Sequence, residues 1–377
     1  MPQGDPQQPV YTVGGRRLSI ADLLRRFSEG QFQSNGICRL SDLHLKTGEP
    51  ATYRFDSDLV PLPGAEPLDA ATVRALLYPL LTAAQITRFE ATPPTDVDAG
   101  YELVGAGLSF RINAFHDRQG PACAIRVLPR EIPAVDRIGF PEERIWRDIV
   151  DLKQGLVVVT GITGSGKSTT VAALLRHIGR HRAVRVITLE DPVEYALDSD
   201  TALVSQREVG LHVRSFAGGL RAALREDPDV IFVGEMRDPE TTSLALTAAE
   251  TGHLVFSTLH TKDAKGAITR IVDMFPQERV RELATQLSFS LTYVLAQKLI
   301  PLAGGSGRRV AMEVLRNVPA IANLIRTARW HQVYGAMESH RRDGAITLER
   351  HLAELVRRGE VEADDARRYA NAPSLIP

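Results

Sequence analysis

The sequence predicts an α/β protein, a parallel sheet with helices on its faces, preceded by a smaller α+β domain. Three observations lead there. Beyond residue 142, short apolar runs (156–160, 184–189, 230–233, 254–258) alternate with helical segments, the order of parallel strands and crossover helices. The first run ends in a glycine-rich turn that opens a helix. A stretch rich in proline and charge, residues 131–141, has the composition of an interdomain linker and separates this texture from strand-like alternation upstream.

Each element follows in order. Residues 1–17 carry Pro, Gln and Gly and read as a disordered tail, not as a signal peptide with a basic and then an apolar stretch. A short amphipathic helix comes next, with Leu18, Leu23, Leu24 and Phe27 on one face and Arg25, Arg26 and Glu29 on the other. Tyr53, Phe55, Leu59 and Val60 mark a strand region, 108–115 alternates as another, and 122–128 is a third, interrupted by Arg126. Residues 70–89 form a helix pair broken near Pro79, so 18–130 reads as a small α+β domain. The parallel sheet occupies 142–300; residues 301–360 read as helical with a loop at 302–308, and 361–377 as a tail.

Composition narrows the function. The 377 residues are 44% apolar and 24% charged, with a net charge of −1, so no global basic field marks a nucleic-acid binder. Cys38 and Cys123 supply neither a disulfide framework nor a four-cysteine zinc site, and both read as small buried apolar residues. No apolar run approaches the ~18 residues of a membrane span. The expected setting is a reducing cytosol.

The turn at Gly161-Ile162-Thr163-Gly164-Ser165-Gly166-Lys167-Ser168 fits G-x-x-x-x-G-K-[ST]. Its glycines let backbone N–H groups turn inward around phosphates, and the following helix aims its N-terminal amides at the same anion. Gly161, Thr163, Gly164, Ser165, Gly166, Lys167, Ser168 and Thr169 are thus the expected ATP cradle. Lys167 would reach the β- and γ-phosphates and the Ser168 hydroxyl would ligate Mg²⁺.

In an open α/β sheet the chemistry gathers at the carboxyl ends of the strands. The run 230–233 leads into Gly234-Glu235, the form of a Walker B element with Glu in place of the usual Asp; Glu235 is a candidate Mg²⁺ ligand. The run 184–189 leads into Glu190-Asp191-Pro192-Val193-Glu194, where a carboxylate beside the γ-phosphate would polarise the attacking water. Thr258 and His260 stand where a γ-phosphate sensor belongs. His253, at the other end of that run, is either a nucleotide contact or a structural histidine. Arg111, Arg118 and Arg126 end the first domain near the linker. They are either a solvated strand face or a source of transition-state charge, in cis or from a neighbouring subunit.

At this point the chain resembles the bacterial secretion ATPases, and among them the type IV pilus retraction motors. The resemblance rests on 161–170, on the acidic stretch 187–195, and on Gln206-Arg207-Glu208-Val209-Gly210. It continues through 220–229, Gly234-Glu235-Met236-Arg237-Asp238 and the histidine-bearing stretch 248–261. In the first domain, 41–46 and Arg111-Ile112-Asn113-Ala114-Phe115 are also similar. The resemblance implies a PAS-like N-terminal domain joined to a RecA-like P-loop ATPase core, assembled as a homo-hexamer. It implies Glu194 as catalytic base, Glu235 as the Walker B acid and His260 as γ-phosphate sensor. It further implies a motor at the cytoplasmic side of the inner membrane, acting on a membrane-embedded pilus platform protein beside paralogous pilus ATPases. The extension and secretion branches carry a four-cysteine motif after the histidine-bearing stretch; this chain has no cysteine beyond Cys123, which favours the retraction branch. One departure is the run Ala320-Ile321-Ala322-Asn323-Leu324-Ile325-Arg326-Thr327, where Ala322 and Thr327 replace the family's Arg and Glu. The alternatives are an accessory scaffold with weak turnover, a secretion or DNA-uptake ATPase, or a nucleic-acid translocase. Near-neutral charge and the lack of a basic, aromatic-interleaved stretch argue against the translocase.

Overall fold

Every residue of Gly155–Thr160, Val230–Val233 and Leu254–Leu259 is buried. Short Val-, Ile- and Leu-rich runs covered on both faces are what a parallel sheet requires of its central strands. A computed structural model describes residues 4–34, 37–55, 58–128, 131–305 and 307–377 of the chain. The chain divides into two compact units, Met1–Glu131 and Ile132–Pro377.

The second unit is built on seven strands: β1 (Gly155–Thr160), β2 (Arg185–Glu190), β3 (Leu203–Glu208), β4 (Val230–Val233), β5 (Leu254–Leu259), β6 (Leu291–Pro301) and β7 (Arg308–Arg316). Their order is β3-β2-β4-β5-β1-β6-β7, parallel throughout except for the antiparallel β6–β7 hairpin. Alternation sends successive side chains to opposite faces. Leu156, Val158, Ile231, Val233 and Val255 pack under Pro239–Glu250, Ala264–Asp273 and Val280–Ser290. Val157, Val159, Val230, Phe232 and Phe256 pack under α1 (Glu143–Asp151) and α2 (Lys167–His181).

The first unit is a six-stranded antiparallel sheet. Its order is Asp58–Pro61, Thr52–Phe55, Leu40–Lys46, Gly120–Val127, Leu108–Asp117, Val97–Leu103. Ile20–Arg25 opens with a capping box, Ser19 and Asp22 each accepting the other's backbone N–H, and buries Leu23 and Leu24. Ala70–Leu77 and Ala83–Phe89 are separated by a 3₁₀ turn that begins Tyr78-Pro79.

Several expectations are corrected. Tyr11–Val13 and Arg16–Leu18 form a hairpin where a disordered tail was expected; Tyr11 is buried, donates to Glu66 O and accepts from Ala51 N–H. Residues 1–3 of that expectation lie outside the described residues. The linker 131–141 is packed, with Ile132, Val135 and Ile138 buried in the second unit's core. Residues 301–360 are not all helical, because β7 continues the sheet there; both hairpin strands are so largely buried that their apolar runs carry no period of two. The expected tail 361–377 holds the helix Ala363–Tyr369 and the buried Ile376. Cys123 is buried, while the Cys38 side chain lies outside the described residues.

Candidate active site

Strand β1 ends at Thr160 and the chain turns at once through Gly161, at φ +150°. A Cβ there would lie 2.5 Å from the carbonyl oxygen of Gln297 and 2.5 Å from Ser165 Oγ, so the position admits only glycine. Gly164 (φ +78°) and Gly166 (φ +88°) complete the loop in the left-handed region that glycine enters without steric cost. Helix α2 starts at Lys167 without a side-chain cap. The buried Ser165 Oγ has no hydrogen-bond partner among the described residues. A glycine cradle, an unpartnered hydroxyl and uncapped helix amides together fit a phosphate-bearing nucleotide.

The Lys167 ammonium is buried at the loop's centre. It donates to the carbonyls of Gly161 (2.9 Å) and Ile162 (3.1 Å) and lies 3.5 Å from His260 Nδ1. Burial lowers its pKa, and the nearby Glu194 and Glu235 carboxylates oppose that shift. The structure thus gathers Lys167, Glu194, Glu235 and His260, although they come from four separate stretches of chain. Ser168 and Thr169 follow Lys167 on α2, and Thr169 Oγ1 meets Tyr195 OH at 2.8 Å.

Glu235 follows β4 through Gly234, whose N–H donates to Leu189 O at 2.8 Å and whose carbonyl accepts from Thr258 Oγ1 at 2.5 Å. Strands β2, β4 and β5 therefore fix the start of its loop. The carboxylate lies 2.6 Å from Arg237 Nε and 3.7 Å from His260 Nε2. Ser168 and Glu235 offer hard oxygen donors of the kind Mg²⁺ takes alongside water and substrate phosphates.

The two acids of the acidic stretch separate. Glu190 is buried and accepts from Thr188 Oγ1 (2.6 Å), Gln206 Nε2 (3.0 Å) and the backbone N–H of Glu194. Burial raises its pKa to about 7. Glu190 thus holds the loop that carries Glu194, and Glu194 is the acid near Lys167. Sequence reasoning missed the rest of this scaffold. Gln206 Oε1 accepts from Leu197 N–H (2.7 Å) and Glu208 Oε2 from Val193 N–H (3.1 Å). Their i, i+2 spacing on β3 was the available signal. Thr160 Oγ1 accepts from Thr261 N–H at 2.9 Å, tying the segment after His260 to the base of the glycine-rich loop.

His253 is a correction. Its Nδ1 meets Ala248 O at 3.0 Å, and its carbonyl accepts from Gly155 N–H at the start of β1. The phosphate loop lies at the far end of that six-residue strand, about 20 Å away at ~3.3 Å per residue. His253 is outside this chain's own phosphate loop because parallel strands put their two ends on opposite edges of the sheet. Arg111, Arg118 and Arg126 belong to the first unit. Arg111 stands opposite Arg126 across adjacent strands, Arg111 pairs with Asp98 at 3.8 Å, and Arg126 pairs with Asp42 at 2.8 Å. Arg118 sits in the turn joining those strands.

Comparison with known proteins shows the family. The family described as "Type II/IV secretion system protein" matches residues 23–368. The chain is 43% identical over 335 residues to the "Type IV pilus retractation ATPase PilT" of Pseudomonas aeruginosa, covering 88% of this chain and 95% of that one. It is 44% identical to a "Twitching motility protein" of Neisseria gonorrhoeae over 74% of each. The solved structure of the "Pilus Retraction Motor PilT and Bound ADP" superposes with a TM-score of 0.84 at 39% identity, covering 95% of this chain and 98% of that one. The chain belongs to the type II/IV secretion system protein family, as an ATPase of the pilus-retraction kind.

Proposed function

We propose that the chain is an ATP-hydrolysing motor that works as a homo-hexamer and powers pilus retraction against a membrane-embedded platform protein. The observation that carries this reading is the convergence of Lys167, Glu194, Glu235 and His260 on one glycine-rich loop. Lys167 and the loop amides bind the phosphates. Glu194 takes a proton from the attacking water. His260, whose pKa is lowered by burial and then by the Lys167 ammonium, stays neutral and hydrogen-bonds the γ-phosphate. Mg²⁺ held by Ser168 and Glu235 would neutralise charge developing on the phosphate oxygens. Arg111, Arg118 and Arg126 are the first unit's candidate sources of further positive charge, in cis or from a neighbouring subunit; delivered to a neighbouring subunit's ATP, that charge would couple hydrolysis to subunit motion.

Among the described residues no helix is long and apolar enough to cross a membrane. We place the motor at the cytoplasmic side of the inner membrane, acting through its platform partner beside paralogous pilus ATPases and without a nucleic-acid track. A second reading, an accessory nucleotide-dependent scaffold with weak turnover, draws on the helix Pro319–Arg326. Ile321 and Ile325 are buried and hold it in place, while Thr327, which stands for the family's glutamate, is exposed.

The test is ATPase rate against protein concentration, with mass photometry on the same samples and Arg111→Ala beside wild type. Activity that rises only as hexamers form supports the motor. A monomer with full turnover overturns it, and a well-formed hexamer with very slow turnover selects the accessory reading.

A further inference from the structure

Gln297 on β6, beside the strand that carries the glycine-rich loop, is a polar residue only 1% exposed. Its position follows from register: Ala296 on β6 pairs with Thr160 on β1, so Gln297 is level with Gly161 where the phosphate loop begins. Three contacts result. The Gln297 carbonyl occupies the space a Cβ at Gly161 would need. Its Nε2 donates to the carbonyl of Ser165 at 3.0 Å. The same Nε2 lies 3.4 Å from where a Cβ at Gly166 would be. One residue of β6 therefore touches both ends of the glycine loop.

The Ser165 contact sets a direction. A trans peptide holds its C=O and its N–H on opposite sides of the chain. With the Ser165 carbonyl held toward β6, the N–H of Gly166 in the same peptide faces away from β6. Lys167 ties the loop through the carbonyls of Gly161 and Ile162, and so leaves the Ser165–Gly166 peptide to Gln297. Were that peptide to turn over, a carbonyl oxygen would replace an N–H on the side facing the bound anion. Repulsion would then replace a charge-assisted hydrogen bond.

Building on the nucleotide-site reading above, we propose that Gln297 is a positioning residue that fixes the Ser165–Gly166 peptide so that the Gly166 N–H is presented to a nucleotide phosphate. Gln297 touches no phosphate itself; it acts through the backbone of the loop.

The test titrates a fluorescent ADP analogue against full-length wild type, Gln297→Leu and Gln297→Glu, with the apparent Tm of each protein measured without nucleotide. Gln297→Leu removes the donor, and its affinity is expected to fall at least about tenfold with a much smaller relative change in Tm. In Gln297→Glu the carboxyl can donate to Ser165 O only when protonated. Its affinity relative to wild type is expected to recover as pH falls from about 8 to about 6, a profile that simple packing does not produce. Wild-type affinity in Gln297→Leu, or a fixed ratio to wild type at every pH in Gln297→Glu, overturns the proposal. Should the leucine variant fail to fold, the pH profile of the glutamate variant decides alone. Lys167→Ala is the reference for the site itself: if it binds like wild type, the nucleotide-site reading fails, whereas loss there with normal Gln297 variants sinks only the positioning role.

Discussion

The Nζ of Lys167 lies 3.5 Å from Nδ1 of His260, although 93 residues separate them along the chain. Burial and this ammonium both lower the histidine's pKa, and Glu235 opposes them more weakly. The ring is therefore neutral at neutral pH and can hydrogen-bond phosphate without an added charge. His260→Ala is expected to lower kcat at least about tenfold while ADP affinity stays within about threefold, because the contact proposed for it is to the reacting phosphate. Steady-state kinetics beside ADP titration checks this; equal losses in both would assign His260 to general nucleotide binding.

Lys167→Ala would remove the charge-assisted phosphate contacts proposed for it, and nucleotide affinity is expected to fall by about a hundredfold or more. Glu235→Gln keeps size and shape but loses the charge that faces Arg237 and His260. Turnover is expected to drop by about a hundredfold with nucleotide binding retained. A glutamine variant with normal kcat would remove Glu235 from the catalytic set.

Arg111 and Arg126 face each other across two strands, but Arg126 also pairs with the buried Asp42, which Arg54 reaches only at 3.9 Å. The two variants should differ. Arg126→Ala is expected to lower the Tm of the first unit, since it strips a buried carboxylate of its nearest cation and leaves it the Ser41 hydroxyl at 2.7 Å. Arg111, paired only loosely with the exposed Asp98, should be dispensable for folding. If it supplies transition-state charge, Arg111→Ala loses most of its ATPase rate with the hexamer intact, as mass photometry and turnover will show.

Glu313 on β7 is buried, accepts from Ala264 N–H at 2.8 Å, and has its pKa raised to about 7, first by burial and then by neighbouring acids. A folded-state pKa above the unfolded value means that the stability contributed by the protonated form is fully present below about pH 4.5. It is lost as pH rises through about 7. Glu313→Gln keeps an acceptor for Ala264 and removes the charge. It should raise stability at pH 8 by about 3 kcal/mol at most, with the gain vanishing near pH 5. Glu190 adds to the same window, while His351, whose pKa burial lowers to about 4, loses stability as pH falls from 6.5 through that value. Tm against pH for wild type and Glu313→Gln reads the difference directly.

The phosphate loop and the strand-end acids were legible because each sits at an abrupt change of texture, an apolar strand running into glycine or carboxylate. Glu235 and His260 follow that rule, and β4 and β5 end within a residue of where the apolar runs suggest. What stayed hidden lacks a local signal. Tyr11 is fixed by bonds to Ala51 and Glu66, far off in sequence. Strands β6 and β7 are buried on both faces, so apolar runs there do not distinguish strand from helix. Gln297 is a lone polar residue whose role exists only once Ala296 has paired with Thr160. His253 misled because it flanks the right strand at the wrong end.

Because β1 lies between β5 and β6, the strand carrying the phosphate loop is flanked by partners that are both translated much later. As the chain leaves the ribosome, Gly161–Ser168 emerges before Leu254–Leu259 and well before Leu291–Pro301. The loop therefore has no neighbouring strand on either side until Leu254–Leu259 has been made, about halfway through the second unit. Ordering of the loop, and with it capture of nucleotide, is therefore expected to come late in the maturation of the polypeptide.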